Sequence, residues 1–446
     1  MFEVLWPIGA SLTLLILAGV AVGRNRRIGA SLAMVGYAVF GFADISKYRL
    51  IERPDLPLES ATEATVAGLI LGSFAVFTIT YGLLWANRPK RVKRVTSPTQ
   101  GEVKLLPDHW GRIRVRVYFG ALLPFVAMVL GLLLTFPELR SNSYFALLGI
   151  LVKSFSLLSF ALYLTKKDKL FLFIALAFLL PSMVETSRRV YISVFVPATI
   201  LLLRSDVVRS ATRVISGSLA RSTLKRYAVL LGSVIFLFVF LNFIRSGHDF
   251  GREFRAEDRL HNTLFYMKTL KSVDTFYNTG FLVESIPSRF DYFRGKTYLS
   301  VAVGLIPRRV WPSKPVGLSA PLALMRVRGS SDFIAGEWVD AGRFSLSPGF
   351  VGEAHANFGL LGILGMSILL GLATFAYDDL DRRMKAESLV RQLPTVALAP
   401  VFFLLARGDF YSAVFFPLVF SVFCYLLFRV VIVRSRSGLE TVWTGG

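Results

Sequence analysis

The stretch FLLPSMVETSRRVYISVFVP, Phe178–Pro197, sets Glu185, Arg188 and Arg189 between two apolar runs. Those runs, Leu170–Val184 and Val190–Leu203, each supply roughly fifteen apolar residues, whereas a helical span needs about twenty. Both outer flanks are basic, KKDK at Lys166–Lys169 on one side and the run from Arg204 to Arg226 on the other. Lys and Arg collect in cytoplasmic loops, so both outer ends are expected inside and the tip outside, at membrane depth or just above it. A charged tip between two short apolar helices is a membrane feature, and it points to an all-α polytopic membrane protein.

Composition agrees. Of 446 residues 54% are hydrophobic, and apolar runs recur from Val4 to Val433. The net charge of +22, from 51 basic and 29 acidic residues, invites a nucleic-acid reading. Most of the basic residues sit in short segments between apolar runs, so topology accounts for them and no nucleic-acid partner is expected. The single cysteine, Cys424, lies inside an apolar run and excludes intramolecular disulfides. No Cys/His cluster has zinc spacing, and neither a metal nor another cofactor is expected. The basic cluster Arg24, Arg26 and Arg27 follows the first apolar run, so that run reads as a retained transmembrane helix rather than a cleaved signal.

About eleven spans are expected. They fall near Val4–Gly23, Ile28–Ala43, Ala64–Ala86, Val117–Phe136, Tyr144–Thr165, Leu170–Val184, Val190–Leu203, Tyr227–Ile244, Ala354–Tyr377, Leu393–Ala406 and Tyr411–Val433. The N-terminus is expected outside and the C-terminus, after RSRS, in the cytoplasm. This divides the chain into residues 1–244 with eight spans, a large external loop at 245–353, and residues 354–446 with the last three spans and a basic tail. Within the loop, Leu260, Leu264, Met267, Leu270, Val273 and Phe276 recur at helical spacing. Thr297–Pro307 has the length of a re-entrant or interfacial helix, ended by proline.

Four places could carry chemistry. An arginine at the bilayer centre costs about 2.5–3.5 kcal/mol on insertion scales, so Arg188 and Arg189 need a reason. Glu185 one turn away can pair with one of them; an anionic ligand is the other reason, since guanidinium matches phosphate in a bidentate fork. In GLIPRRVWPSKP, Gly304–Pro315, three prolines stiffen a segment bearing Arg308, Arg309, Trp311 and Lys314. It reads equally as a clamp for a lipid pyrophosphate with a sugar on the indole, or as an interfacial belt. Gly336–Gly362 gathers Glu337, Asp340, Arg343, Glu353, His355 and Asn357 just before a span. These are ingredients of general-base chemistry and hydroxyl recognition, and also of ordinary helix capping; Glu353 and Asn357, four apart, would share a helix face. Arg407 and Asp409 in LLARGDFYS occupy a tight external hairpin and could pair with each other. YDDLDRR, Tyr377–Arg383, imitates a nucleotide-sugar motif but is expected to be a solvated helix end.

FRGKTYLSVAVGLIPRRVWPSKP followed by SPGFVGEAHANFGLLGILGMSILLGL resembles the oligosaccharide repeat unit polymerases, the Wzy-type O-antigen polymerases of bacterial envelopes. The elements are a glycine before an apolar stretch, then IPR, then W…KP, then GE…NFG..G opening a helix. The Arg-bearing turn at Ser187–Arg189 is a second anchor. The resemblance is best over Phe293–Gly371. It implies a multi-pass enzyme of the bacterial inner membrane that works at its outer face on undecaprenyl-pyrophosphate-linked oligosaccharides. The growing chain would pass to a sugar hydroxyl of the next lipid-linked unit, undecaprenyl pyrophosphate leaving without a metal. The resemblance further implies membrane lipids, a chain-length regulator and a flippase as partners. Glu353 would orient or deprotonate the acceptor, and Arg188 and Arg343 would act in the reaction with it. Arg189, Arg308, Arg309, Trp311, Lys314, Asn357 and Arg407 would hold the substrate and its pyrophosphate. An O-antigen ligase uses the same donor and architecture, and a transporter of lipid-linked sugars could line a path with Arg188 and Arg407. The order IPR…W…KP favours the polymerase, and one dominant external loop speaks against the transporter.

Overall fold

The computed structural model describes residues 2–20, 27–50, 58–88, 143–166, 169–183, 188–205, 275–306, 310–329, 346–385 and 387–440. All regular structure among them is helical: α1 (Phe2–Val20), α2 (Ile28–Gly36), α3 (Ala43–Leu50), α4 (Ser60–Ala86), α5 (Ser143–Lys166), α6 (Lys169–Met183) and α7 (Arg188–Arg204). Then come α8 (Thr275–Ser285), α9 (Lys296–Val303), α10 (Ser319–Arg328), α11 (Gly349–Met384), α12 (Leu389–Leu398), α13 (Pro400–Arg407) and α14 (Phe410–Glu440). Five stretches among the described residues are long and apolar enough to cross a membrane: Ile28–Ile45, Ser60–Ala86, Gly349–Met384, Leu389–Arg407 and Phe410–Leu427. Large apolar side chains such as Ile79, Leu83, Leu360 and Leu361 stand exposed on these helices, where lipid rather than water makes burial unnecessary. The chain is an all-α membrane protein. The expected spans near Val117–Phe136 and Tyr227–Ile244, and the external helix as far as Asp274, lie outside the described residues.

One expected span is interrupted and another is not. The stretch expected over Leu393–Ala406 is one apolar span, Leu389–Arg407, whose backbone stays helical through Ala399 although Pro400 has no N–H to give the ladder. The stretch expected over Ala354–Tyr377 starts earlier, at Gly349, and breaks at Phe358 and Gly359. A further irregularity joins α2 to α3, a π-helical turn at Tyr37–Phe42 whose Ala38 carbonyl also accepts from the Ser11 hydroxyl at 2.9 Å.

The helices group into two compact units. The first draws on Met1–Trp85, Thr212–Arg382 and Ala399–Pro417. In it α1 and α13 pack on α2, and a chain of hydroxyls, Tyr37 to Ser73 at 2.9 Å and Ser73 to Ser367 at 2.8 Å, ties the π turn to α4 and α11. A separate core of Leu282, Ile286, Leu318, Leu322, Met325 and Ala356 joins α8, α10 and the start of α11, with Phe281, Phe290, Tyr292, Phe293 and Leu346 packed around it. The second unit draws on Ala86–Ala211, Arg383–Leu398 and Leu418–Gly446, and has α5 and α6 as an antiparallel pair with α12 against α5 and α7. Ser156 donates to the Ala175 carbonyl at 2.8 Å, and Arg204 to Gln392 Oε1 at 2.8 Å.

Candidate functional site

The break in α11 builds the site. Phe358 (φ −146°, ψ 17°) and Gly359 (φ 63°, ψ −145°) leave the helical ladder, which strips the Ala356 and Asn357 carbonyls of their helical partners. A tight loop some sixty residues upstream replaces those partners. Phe293 N–H donates to Ala356 O at 3.0 Å and Arg294 N–H to Asn357 O at 3.2 Å. The loop needs consecutive left-handed residues, Arg294 (φ 50°) and Gly295 (φ 84°), and only the second has no side chain to oppose it. Asn357 completes the join: its Oδ1 accepts from Gly295 N–H at 2.9 Å, and its Nδ2 donates to Thr297 Oγ1 at 2.8 Å and to Glu353 O at 2.9 Å. The helix restarts hard against its own first half, since a Cβ on Gly362 would lie 2.2 Å from Ala354 O. FRGKT and GEAHANFG, the two halves of the sequence pattern, are therefore one structure. An interrupted backbone in an apolar helix is tolerated because protein re-satisfies the freed groups.

Glu353 is buried at the centre of this join, 1% exposed. Its Oε2 accepts a short hydrogen bond from Phe410 N–H in the first turn of α14, where the helix's unpaired N–H groups favour an anion. Its Oε1 is buried with no hydrogen-bond partner. The Thr297 hydroxyl lies within hydrogen-bonding reach of the carboxylate, and the Asp409 carboxylate acts on it as a like charge. Asp409 is the N-cap of α14: Oδ1 accepts from Ser412 N–H at 3.0 Å and from the Ser412 hydroxyl, and Oδ2 accepts from Ser319 N–H at 3.1 Å, at the start of α10. A Cβ on Gly317 would meet Asp409 Oδ2 at 2.4 Å, so that glycine allows the approach. Arg407 closes α13 with its guanidinium 5.8 Å from the centre of the Phe40 ring.

The other residues singled out from sequence fall as follows. Lys314 caps the end of α9, its Nζ donating to Gly304 O at 3.0 Å and Ile306 O at 2.6 Å. Trp311 beside it is exposed. His355 Nε2 bonds the Ile286 carbonyl at 3.1 Å and its ring lies across Tyr292, a structural position. Arg308, Arg309, Arg343, Glu185, Glu337 and Asp340 lie outside the described residues. Arg188 and Arg189 form the first turn of α7, in the second unit. Two cations at a helix N-terminus oppose its dipole, so helix stability does not account for them.

The structure corrects one expectation. YDDLDRR is no solvated helix end: Asp378 and Asp381 are buried. Asp378 accepts from Gly29 N–H at 2.8 Å, Ala30 N–H at 3.2 Å and the Tyr81 hydroxyl at 2.8 Å, capping α2 from a distant helix. Arg27 and Arg382 lie 3.9 Å and 4.9 Å from the Trp85 ring centre beside it. Sequence reasoning also passed over Tyr298 and Thr297, whose only signal was that they follow the glycine of FRG. It offered Asp409 as a residue that could pair with Arg407 and did not foresee its bonds at the starts of α14 and α10.

Among the described residues no group of three His, Cys, Asp or Glu side chains could hold a metal ion. No protein-family model, curated protein or solved structure matches the chain.

Proposed function

We propose that this protein polymerises undecaprenyl-pyrophosphate-linked oligosaccharide repeat units into O-antigen or exopolysaccharide at the outer face of a bacterial inner membrane, by metal-independent glycosyl transfer. One observation supports it above the others: the two stretches that resemble the polymerases meet through backbone bonds around a buried carboxylate with one oxygen unsatisfied. Buried polar atoms are almost always paired, and an exception calls for an explanation such as a catalytic role. The reading also takes eleven spans, with the N-terminus outside and the large loop on the outer face, because the basic loops then share one side.

In this mechanism the acceptor sugar hydroxyl attacks the anomeric carbon of the growing chain. Its oxygen bonds to that carbon, the bond to the pyrophosphate breaks, and the electron pair leaves with undecaprenyl pyrophosphate. Glu353 Oε1 takes the hydroxyl proton, while the bond from Phe410 holds the carboxylate fixed through the step. Asn357 keeps the broken helix and the FRG loop together, and so keeps Glu353 in place. Arg308, Arg309, Arg343 and Arg407 are the cations proposed for the departing diphosphate. Fixed donors aimed at developing charge are usually the largest catalytic contribution, and losing one costs about 10²–10³ in rate. The parts of Arg188, Arg189, Arg308, Arg309 and Arg343 rest on sequence alone.

The test is to delete the gene, complement with wild type, Arg188→Ala or Arg189→Ala, and resolve lipid-linked and surface glycans by size. Surface glycan capped at one repeat unit in the deletion strain is the expected result. Full-length polymer stranded on undecaprenyl pyrophosphate would make the protein a ligase, units held on the inner side a transporter, and an unchanged ladder neither.

A further inference from the structure

Glu353 Oε1 is not alone. The Tyr298 hydroxyl, two residues into α9, is also buried and also has no hydrogen-bond partner. Its ring is wedged edge-on against Phe410 at 5.0 Å and 78°, the residue whose N–H holds the other oxygen of Glu353, and lies 6.4 Å from Phe358 at the helix break. The Asn357 amide lies beside the same hydroxyl and Glu353 within its electrostatic reach. Burial, and after it the neighbouring Glu353, hold this phenol above its ordinary range, so it is a neutral donor at any working pH. Buried polar atoms are almost always paired, and here two unpaired ones belong to residues that both lie against Phe410. One is a donor and the other an acceptor. A guest hydroxyl carries what both lack, a proton for the carboxylate and an oxygen for the phenol.

We infer that Tyr298 is a second catalytic residue, which holds the acceptor sugar hydroxyl against Glu353 by donating a hydrogen bond to its oxygen. The assignment of the guest as a sugar hydroxyl rests on the function proposed above. During transfer Tyr298 keeps its proton: the acceptor oxygen loses its hydrogen to Glu353 Oε1 and gains the bond to the anomeric carbon, and the phenol stays on that oxygen throughout. This fixes the direction of attack, because an oxygen held by one donor and one acceptor presents its remaining lone pair along a single line.

Tyr298→Phe removes the hydroxyl and nothing else. Because that hydroxyl has no protein partner, the variant keeps the thermal stability of wild type in detergent, whereas a structural hydroxyl would lower it. Full-length wild type, Tyr298→Phe and Glu353→Gln are reconstituted in vesicles and supplied with lipid-linked repeat unit extracted from the deletion strain. The expected result for Tyr298→Phe is turnover reduced about 10²-fold at unchanged stability. Turnover within twofold of wild type while Glu353→Gln is inactive overturns the role of Tyr298 alone. A lower melting temperature with activity lost in proportion also overturns it, in favour of packing. Normal elongation by both variants overturns the function itself.

Discussion

Near opposite ends of α11 stand two buried carboxylates, Asp378 and Glu353, that differ in how they are satisfied. Asp378 receives three hydrogen bonds, from two backbone N–H groups of α2 and from Tyr81. Glu353 accepts from Phe410 N–H, has the Thr297 hydroxyl within reach, and keeps one oxygen with no partner. The first carboxylate is a pin. Its charge sits where a helix N-terminus needs an anion, and a Cβ on Gly29 would come within 2.7 Å of Tyr377, so the fold has been fitted around it. The second sits at a helix N-terminus too, yet keeps one oxygen without a partner beside the break in α11. Burial alone does not separate the two; the place of Glu353 at the join between the broken helix and the FRG loop, with one oxygen unpartnered, does.

The comparison can be broken most forcefully at Glu353. Glu353→Gln keeps shape and an oxygen for Phe410 N–H but cannot take a proton. Glycan elongation in cells is expected to fall about 10³-fold, within the range for loss of a general base, with membrane-inserted protein at wild-type level in immunoblots. Asp378→Ala does the reverse. It leaves three buried donors without an acceptor and should cost about 3 kcal/mol of stability, read by denaturation in detergent, while elongation per folded molecule holds.

Gly359→Ala tests whether the break itself matters. At φ 63° and ψ −145° a side chain is strained, and the new Cβ would sit 3.1 Å from the Tyr292 hydroxyl. A cost of about 2 kcal/mol is expected, together with a loss of elongation, because Glu353 and Asn357 are placed by that turn. The smallest effect belongs to Lys314. As a cap on α9 its replacement by Met should cost about 1 kcal/mol of stability. A large loss of turnover at full stability would instead return its ammonium to the substrate.

Sequence was most informative where hydrophobicity speaks. The short pair of helices around Ser187–Arg189 is α6 and α7, and Ser60–Ala86 and Phe410–Leu427 lie where apolar runs placed them. Breaks were invisible because a glycine in an apolar run looks like a packing contact; Gly359 is distinguished only by a loop some sixty residues earlier that pairs with the freed carbonyls. Glu353 and Asn357 were legible as a polar pair at the start of a helix. Asp378 was misread for a physical reason: its partners are mainly backbone N–H groups of α2, and backbone leaves no mark in sequence. A charged helix end reads the same whether water or another helix end solvates it.

The contrast between the two carboxylates is tested most directly by purifying Glu353→Gln and Asp378→Ala side by side, and measuring melting temperature and elongation per folded molecule on the same preparations. The account predicts a crossed result: Glu353→Gln stable and inactive, Asp378→Ala unstable and active. Elongation by folded Glu353→Gln at the wild-type rate would contradict it.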